Sequence, residues 1–187
     1  MKTLARCTVL TLAFTTAVAV PAMQAQMGDM KMPADQKKMP SPPASTEVSL
    51  AGKTIKIDYS APSVRGRKIM GGVVPYGEEW RTGANPATTL VTPVDLMIGT
   101  LKVPAGTYTL FTLPSAETWQ FIVSKKTGEW GIPYPKGFDL GRTPMRKKTL
   151  ASPQEVMSIS FEHTEGKKTQ LHVKWETTDV YVPVVAQ

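Results

Sequence analysis

Beyond Glu47 the chain alternates apolar and polar positions with a period of two, the signature of half-buried strands. Thr54-Ile55-Lys56-Ile57-Asp58-Tyr59 places Ile55, Ile57 and Tyr59 on one face. The runs from Val94 to Ile98 and from Leu101 to Val103 flank Gly99-Thr100, which predicts a tight hairpin. Val103-Pro104-Ala105-Gly106 carries proline second and glycine fourth, the chemistry of a type I turn, and leads into a strand over 108–113. Trp119, Phe121 and Val123 form the apolar row of another strand. Met157, Ile159 and Phe161 share a face, as do Leu171, Val173 and Trp175, with Glu165-Gly166-Lys167-Lys168 turning the chain between them. If both rows face one core, paired residue numbers must have an even sum, because a slip of one residue inverts every side chain. That register sets Ser160 or Glu162 opposite His172 and predicts that His172 faces solvent. A last strand over 179–184 carries Val180 and Val182 on one face. Eight or nine short strands with turn signals between them and no helical period predict an all-β fold, an antiparallel β-sandwich or jelly-roll-like domain.

Two stretches interrupt this rhythm, 60–86 and 125–143. Loops of that length in a compact domain usually carry function. They hold Tyr76, Trp80, Trp130, Tyr134 and Phe138, too many aromatics for segments left unpacked.

The first 45 residues follow other rules. Lys2 and Arg6 precede an uncharged, mostly apolar run from Cys7 to Val20; Pro21 then breaks it, and the small residues Ala22 and Ala25 follow. This is the order of a bacterial-type secretory signal peptide over 1–25, cut after Ala25 by preference, and the run falls short of the roughly 20 residues that a membrane span needs. The expected product is periplasmic or extracellular, with no membrane span after cleavage. Residues 26–45 are rich in Met, Pro and Lys and lack aromatics, which predicts a disordered tether ahead of one domain over 46–187. Met27, Met30, Met32 and Met39 offer soft thioethers that could hold Cu(I), or are simply linker residues.

Cys7 is the only cysteine, and Arg6 directly before it argues against a lipoprotein cysteine. A mature chain without thiols excludes disulfides, thiol nucleophiles and thiolate metal sites. The formal charge of +7 falls to +5 once Lys2 and Arg6 are removed. The basic residues are scattered, as in Lys125-Lys126, Arg146-Lys147-Lys148 and Lys167-Lys168, so nucleic acid is not an expected partner. No phosphate loop, dinucleotide fingerprint or serine elbow is present, and no cofactor is expected. The chain has two histidines. By the register above, His163 and His172 point to opposite faces, which argues against a shared metal.

Distinctive chemistry gathers in the first loop. Arg81 offers a planar fork for carboxylate or phosphate, Asn85 can donate and accept together, and Trp80 gives an apolar plate. Equally, Trp80 can plug the mouth of the domain while Arg81 pairs with a glutamate or a carbonyl. Arg65, Arg67 and Lys68 surround Gly66 in a basic turn that could hold an anion or simply be solvated; Tyr76 lies further along. Trp130, Tyr134 and Phe138 could wall a ligand or pack their own loop. Ligand-binding candidates are therefore Arg67, Tyr76, Trp80, Arg81, Asn85, Trp130 and Tyr134, in a module for a small molecule, a glycan or an envelope partner. A hydrolase would have to draw two carboxylates from Glu78, Glu79, Glu129 and Asp139 at a separation of roughly 5 to 9.5 Å. A purely structural envelope module is the third reading.

The strings Pro62-Ser63-Val64-Arg65-Gly66-Arg67 and Trp80-Arg81-Thr82-Gly83-Ala84-Asn85, with Pro104-Ala105-Gly106-Thr107-Tyr108 downstream, resemble a bacterial exported family called domain of unknown function 2911. The resemblance covers nearly all of residues 46–185. Ala61 departs from it, standing where a longer polar side chain is expected. The resemblance implies an exported β-domain and assigns no activity, so it designates no catalytic residue.

Overall fold

The computed structural model of the chain describes residues 41–187. The expected leader, most of the expected tether and the methionines Met27, Met30, Met32 and Met39 lie outside the described residues. Nine strands make up the fold, and the described residues include no helix: β1 (Pro43–Leu50), β2 (Lys53–Ser60), β3 (Thr89–Thr92), β4 (Leu96–Ile98), β5 (Leu101–Val103), β6 (Gly106–Leu113), β7 (Trp119–Ser124), β8 (Asp139–Glu165) and β9 (Lys168–Ala186). Every pairing is antiparallel, and hydrogen bonding runs through one continuous sheet in the order β1-β2-β3-β6-β7-β8-β9-β4-β5. The all-β antiparallel class is thus as the alternation predicts.

Not all the strands are short. β8 pairs with β7 through Asp139–Met145 and then with β9 from Arg146 onward, so one strand joins the two parts of the sheet. Its ladder shifts register at 149–154, 154–158 and 162–165, and such irregularities bend a strand and increase its twist. The expected last strand over 179–184 is the second part of β9 rather than an element of its own. The ordered region also begins earlier than residue 46: Pro43 pairs with Ser60, and the Ala61 amide donates to the Pro42 carbonyl at 2.9 Å. At the other boundary β8 starts at Asp139, which shortens the second loop to 125–138.

Alternation decides what is buried. Ile55, Ile57, Leu90, Leu110, Trp119, Phe121, Val123, Ile159, Leu171, Val173 and Trp175 meet in one apolar core fed by all nine strands. The predicted even-sum register holds: Ile159 pairs with Val173 and Phe161 with Leu171. Gly99-Thr100 makes the tight β4–β5 hairpin, and a Cβ at position 99 would lie 2.3 Å from Thr143 Oγ1, so only glycine fits. β6 and β7 are buried on both sides. Behind them Phe111 and Ile122 pack with Ala87, Leu113 and Tyr134, so the second loop covers the back of the sheet.

Candidate functional site

The first loop is fastened rather than loose. Val64 donates to the Glu155 carbonyl and Met157 to the Pro62 carbonyl, both at 2.8 Å, which stitches its start to β8. Its end is tied to β6, where Trp80 and Thr112 exchange backbone hydrogen bonds of 2.8 Å. The Trp80 ring stacks on Trp175 at 5.9 Å and meets Trp119 edge-on at 6.4 Å, while its Nε1 donates to the Gly83 carbonyl at 3.0 Å. Thr82 and Asn85 both adopt positive φ (52° and 56°), and the Thr88 hydroxyl donates to the Thr82 carbonyl at 2.8 Å. The Trp80–Asn85 string thus folds into a compact, internally bonded turn.

Between this turn and the start of the loop lies a cavity of about 210 Å³. Trp80, Trp175, Ile132, Val73, Val74 and Pro62 give it apolar walls; Arg67 and Arg81 give it two cations; Ser41, Gly83 and Ala84 complete the lining. Arg81 Nη1 donates to the Trp130 carbonyl at 3.0 Å, and its guanidinium lies 5.3 Å from the Trp130 ring centroid. Arg67 turns onto its own loop, Nε to the Val64 carbonyl (3.1 Å) and Nη2 to the Ser63 carbonyl (2.7 Å). Among the described residues no carboxylate lies within ion-pair distance of either guanidinium. Partial burial without such a partner pulls Arg81 below the ordinary arginine range.

The two loops meet at Gly131. It has φ +85°, and a Cβ there would lie 2.9 Å from the Ala87 Cβ and 3.0 Å from the Arg81 Cβ. Glycine is what lets the second loop pass this close, bringing Ile132 to the cavity and Trp130 to Arg81.

Of the sequence-derived candidates, Arg67, Trp80 and Arg81 therefore line one cavity, and Trp130 holds Arg81. The others are employed elsewhere. Asn85 donates through Nδ2 to the Ser41 carbonyl at 2.8 Å, which anchors the segment entering β1. Tyr76 lies against Gly71 and is largely exposed. Tyr134 stands edge-on to Phe111 at 4.9 Å and donates a short hydrogen bond to Asp139 Oδ1. Burial, then the bond to Asp139, raises the Tyr134 hydroxyl far above its ordinary range. Sequence reasoning missed Trp175 and Ile132, the first because it reads as an ordinary core residue and the second because nothing marks it.

The carboxylates named for hydrolysis do not line this cavity. Arg142 on β8 takes two of them, Glu79 Oε1 (3.1 Å, from Nη2) and Asp139 Oδ2 (2.8 Å, from Nε). Glu129 faces Lys126 at 3.5 Å.

Both histidines lie differently from the expectation. Ser160 does pair with His172, yet His172 is only 2% exposed rather than solvent-facing. Tyr181, brought round by the second part of β9, stacks on it at 4.8 Å, and its Nδ1 donates to Asp179 Oδ1 at 2.8 Å. Nor do the two histidines point apart. The ladder is irregular between Glu162 and Glu165, and His163 sits there at φ 53°, which breaks the alternation and brings its ring centroid to 6.2 Å from that of His172. Glu162 lies beside them. Burial alone would raise its carboxyl, but hydrogen bonds from Lys174 (2.5 Å) and Ser160 (2.7 Å) hold it below the ordinary glutamate value.

No curated protein matches the chain, and no solved structure matches it. A family model does match, over residues 41–184, from the entry of β1 to near the end of β9, so the chain belongs to the family described as "Protein of unknown function (DUF2911)".

Proposed function

We propose that this domain is an exported binding module that takes a small anionic ligand, a carboxylate or phosphate group on an apolar or planar body, in the cavity between its two long loops. The observation that carries this reading is the pair of guanidiniums, Arg67 and Arg81, lining a cavity with Trp80 and Trp175 and with no carboxylate partner among the described residues. A guanidinium taken partly out of water is costly unless a counter-charge reaches it. Trp130 supplies only a carbonyl and a ring face to Arg81. An incoming anion would supply the missing charge, and the planar fork of arginine suits two-point contact with carboxylate or phosphate. Drug-sized pockets span roughly 300–1,000 Å³. At about 210 Å³ this one suits a ligand of small-metabolite size or one end of a larger glycan or envelope component. Export rests on the charge, apolar run and small residues of the leader.

The test is thermal-shift screening of small carboxylates and phosphates against neutral sugars. A ligand at 100 times its Kd should stabilise the domain by about 2.7 kcal/mol. Arg81→Ala should abolish that shift. Neutral sugars stabilising as well as anions, or an undiminished shift in the variant, would overturn the reading.

A further inference from the structure

The outward face of the β8–β9 hairpin holds a second concentration of ligating groups, which shares no residue with the cavity. Glu162, His163 and His172 each offer one ligand atom, and these atoms lie within 4.8 Å of one another. Donors around a tetrahedral ion at about 2.1 Å sit roughly 3.4 Å apart. Closing that difference needs only small side-chain movements, chiefly of His163, which is exposed.

The surroundings are those of a prepared ligand set. Metal-bound histidine almost always donates its second ring N–H to a carboxylate or carbonyl, which fixes the tautomer and the ring plane. His172 does this already: Nδ1 donates to the buried Asp179, and Tyr181 stacks on the ring at an interplanar angle of 8°. Nε2 contacts the side-chain oxygen of Gln170 at 3.2 Å, and an ion bound at Nε2 would take the place of that contact. Gln170 and His163 both line an open surface pocket of about 410 Å³, which gives an ion a path from solvent. Glu162 keeps Oε1 on Lys174 and Ser160 and leaves Oε2, 3.9 Å from His172 Nδ1, free of those two contacts. The Lys174 ammonium orients the carboxylate and also opposes a second cation, so affinity is expected to be moderate.

We propose that Glu162, His163 and His172 bind a borderline divalent transition ion of the Zn²⁺ type, with Asp179 positioning His172 and a fourth coordination place open to solvent. Two imidazoles and one carboxylate suit Zn²⁺, Ni²⁺ or Cu²⁺ and not the hard ions Mg²⁺ or Ca²⁺.

Calorimetric titration of the full tag-free chain with ZnCl₂, after chelator treatment, should give one ion per chain and no heat with MgCl₂. His163→Asn should weaken binding at least about tenfold, since even loss of an outer-shell partner weakens metal sites by 10–100-fold. Asparagine is chosen because it tolerates the positive φ of position 163. Absence of Zn²⁺ binding, or equal affinity in the variant, overturns the site. A second measurement guards against a variant that fails to fold. The wild-type chain has two histidines, so its imidazole carbon–proton NMR spectrum is simple to read. Zn²⁺ should shift both ring signals; if they stay in place, the ion is elsewhere or unbound.

Discussion

A guanidinium half removed from water, with a carbonyl and an indole for company, shows how little a residue's type says about its role. Arg81 and Arg142 are both loop-clamping arginines, yet Arg142 is matched by Glu79 and Asp139 while Arg81 has no carboxylate partner among the described residues. The difference lies in which side chains the loops bring near, and it is what singles out the cavity. Glu162 gives a test at the same scale. Its folded pKa is lowered by Lys174 and Ser160, so its ion pair adds stability above the unfolded carboxyl value, about 4.3, and loses it as pH falls through the lower folded value. Glu162→Gln should therefore be less stable than the parent at pH 7, and the two should converge between about pH 5 and pH 3. Urea denaturation at a series of pH values in chelator-containing buffer checks this; curves that stay parallel would mean that the pair contributes nothing.

Among the elements, β1 starts earlier than the alternation pattern places it. Pro42, Pro43 and Ser45 look like tether, because proline and small polar residues seldom mark a strand. An edge strand tolerates them, since one side of its ladder needs no partner. Pro43–Ser45 nonetheless pair with Ser60–Asp58, and Ser41 accepts from Asn85. A chain beginning at Thr46 should be less stable than one beginning at Ser41 by at least about 2 kcal/mol, at roughly 1 kcal/mol for each hydrogen bond lost. It should also bind its anion more weakly, because Ser41 lines the cavity. Equal denaturation midpoints would show that the segment is dispensable. The β8–β9 hairpin makes the complementary point. Its register was legible from two apolar rows, but its irregularities were not. No period reveals that His163 will take a positive φ, so the pairing of the two histidines was hidden even though the ladder around them was foreseen.

At the scale of the whole molecule, Trp175 joins the core to the cavity. Trp175 is buried to 2%, stacks on Trp80, donates from Nε1 to the Glu155 carbonyl at 3.3 Å and forms part of the cavity wall. Trp175→Ala should cost about 3–5 kcal/mol of unfolding free energy and remove ligand binding together with it, because the same atoms fill the core and shape the site. A loss under about 1 kcal/mol would mean that the sheet does not unfold around this residue. The sequence by itself determined the all-β class, the faces of the apolar rows and the Gly99-Thr100 and Gly166 turns, and it singled out Arg67, Trp80 and Arg81, which line one cavity. Each of these is a matter of near neighbours along the chain: alternation, turn chemistry and residue type. Only the tertiary structure decided that two loops far apart in sequence meet over Gly131, that Arg142 claims Glu79 and Asp139, and that β9 returns Asp179 and Tyr181 onto His172. Those contacts depend on how a long strand bends and where a ladder slips, and such geometry is set by the packing of the whole sheet rather than by any stretch of the chain that forms it.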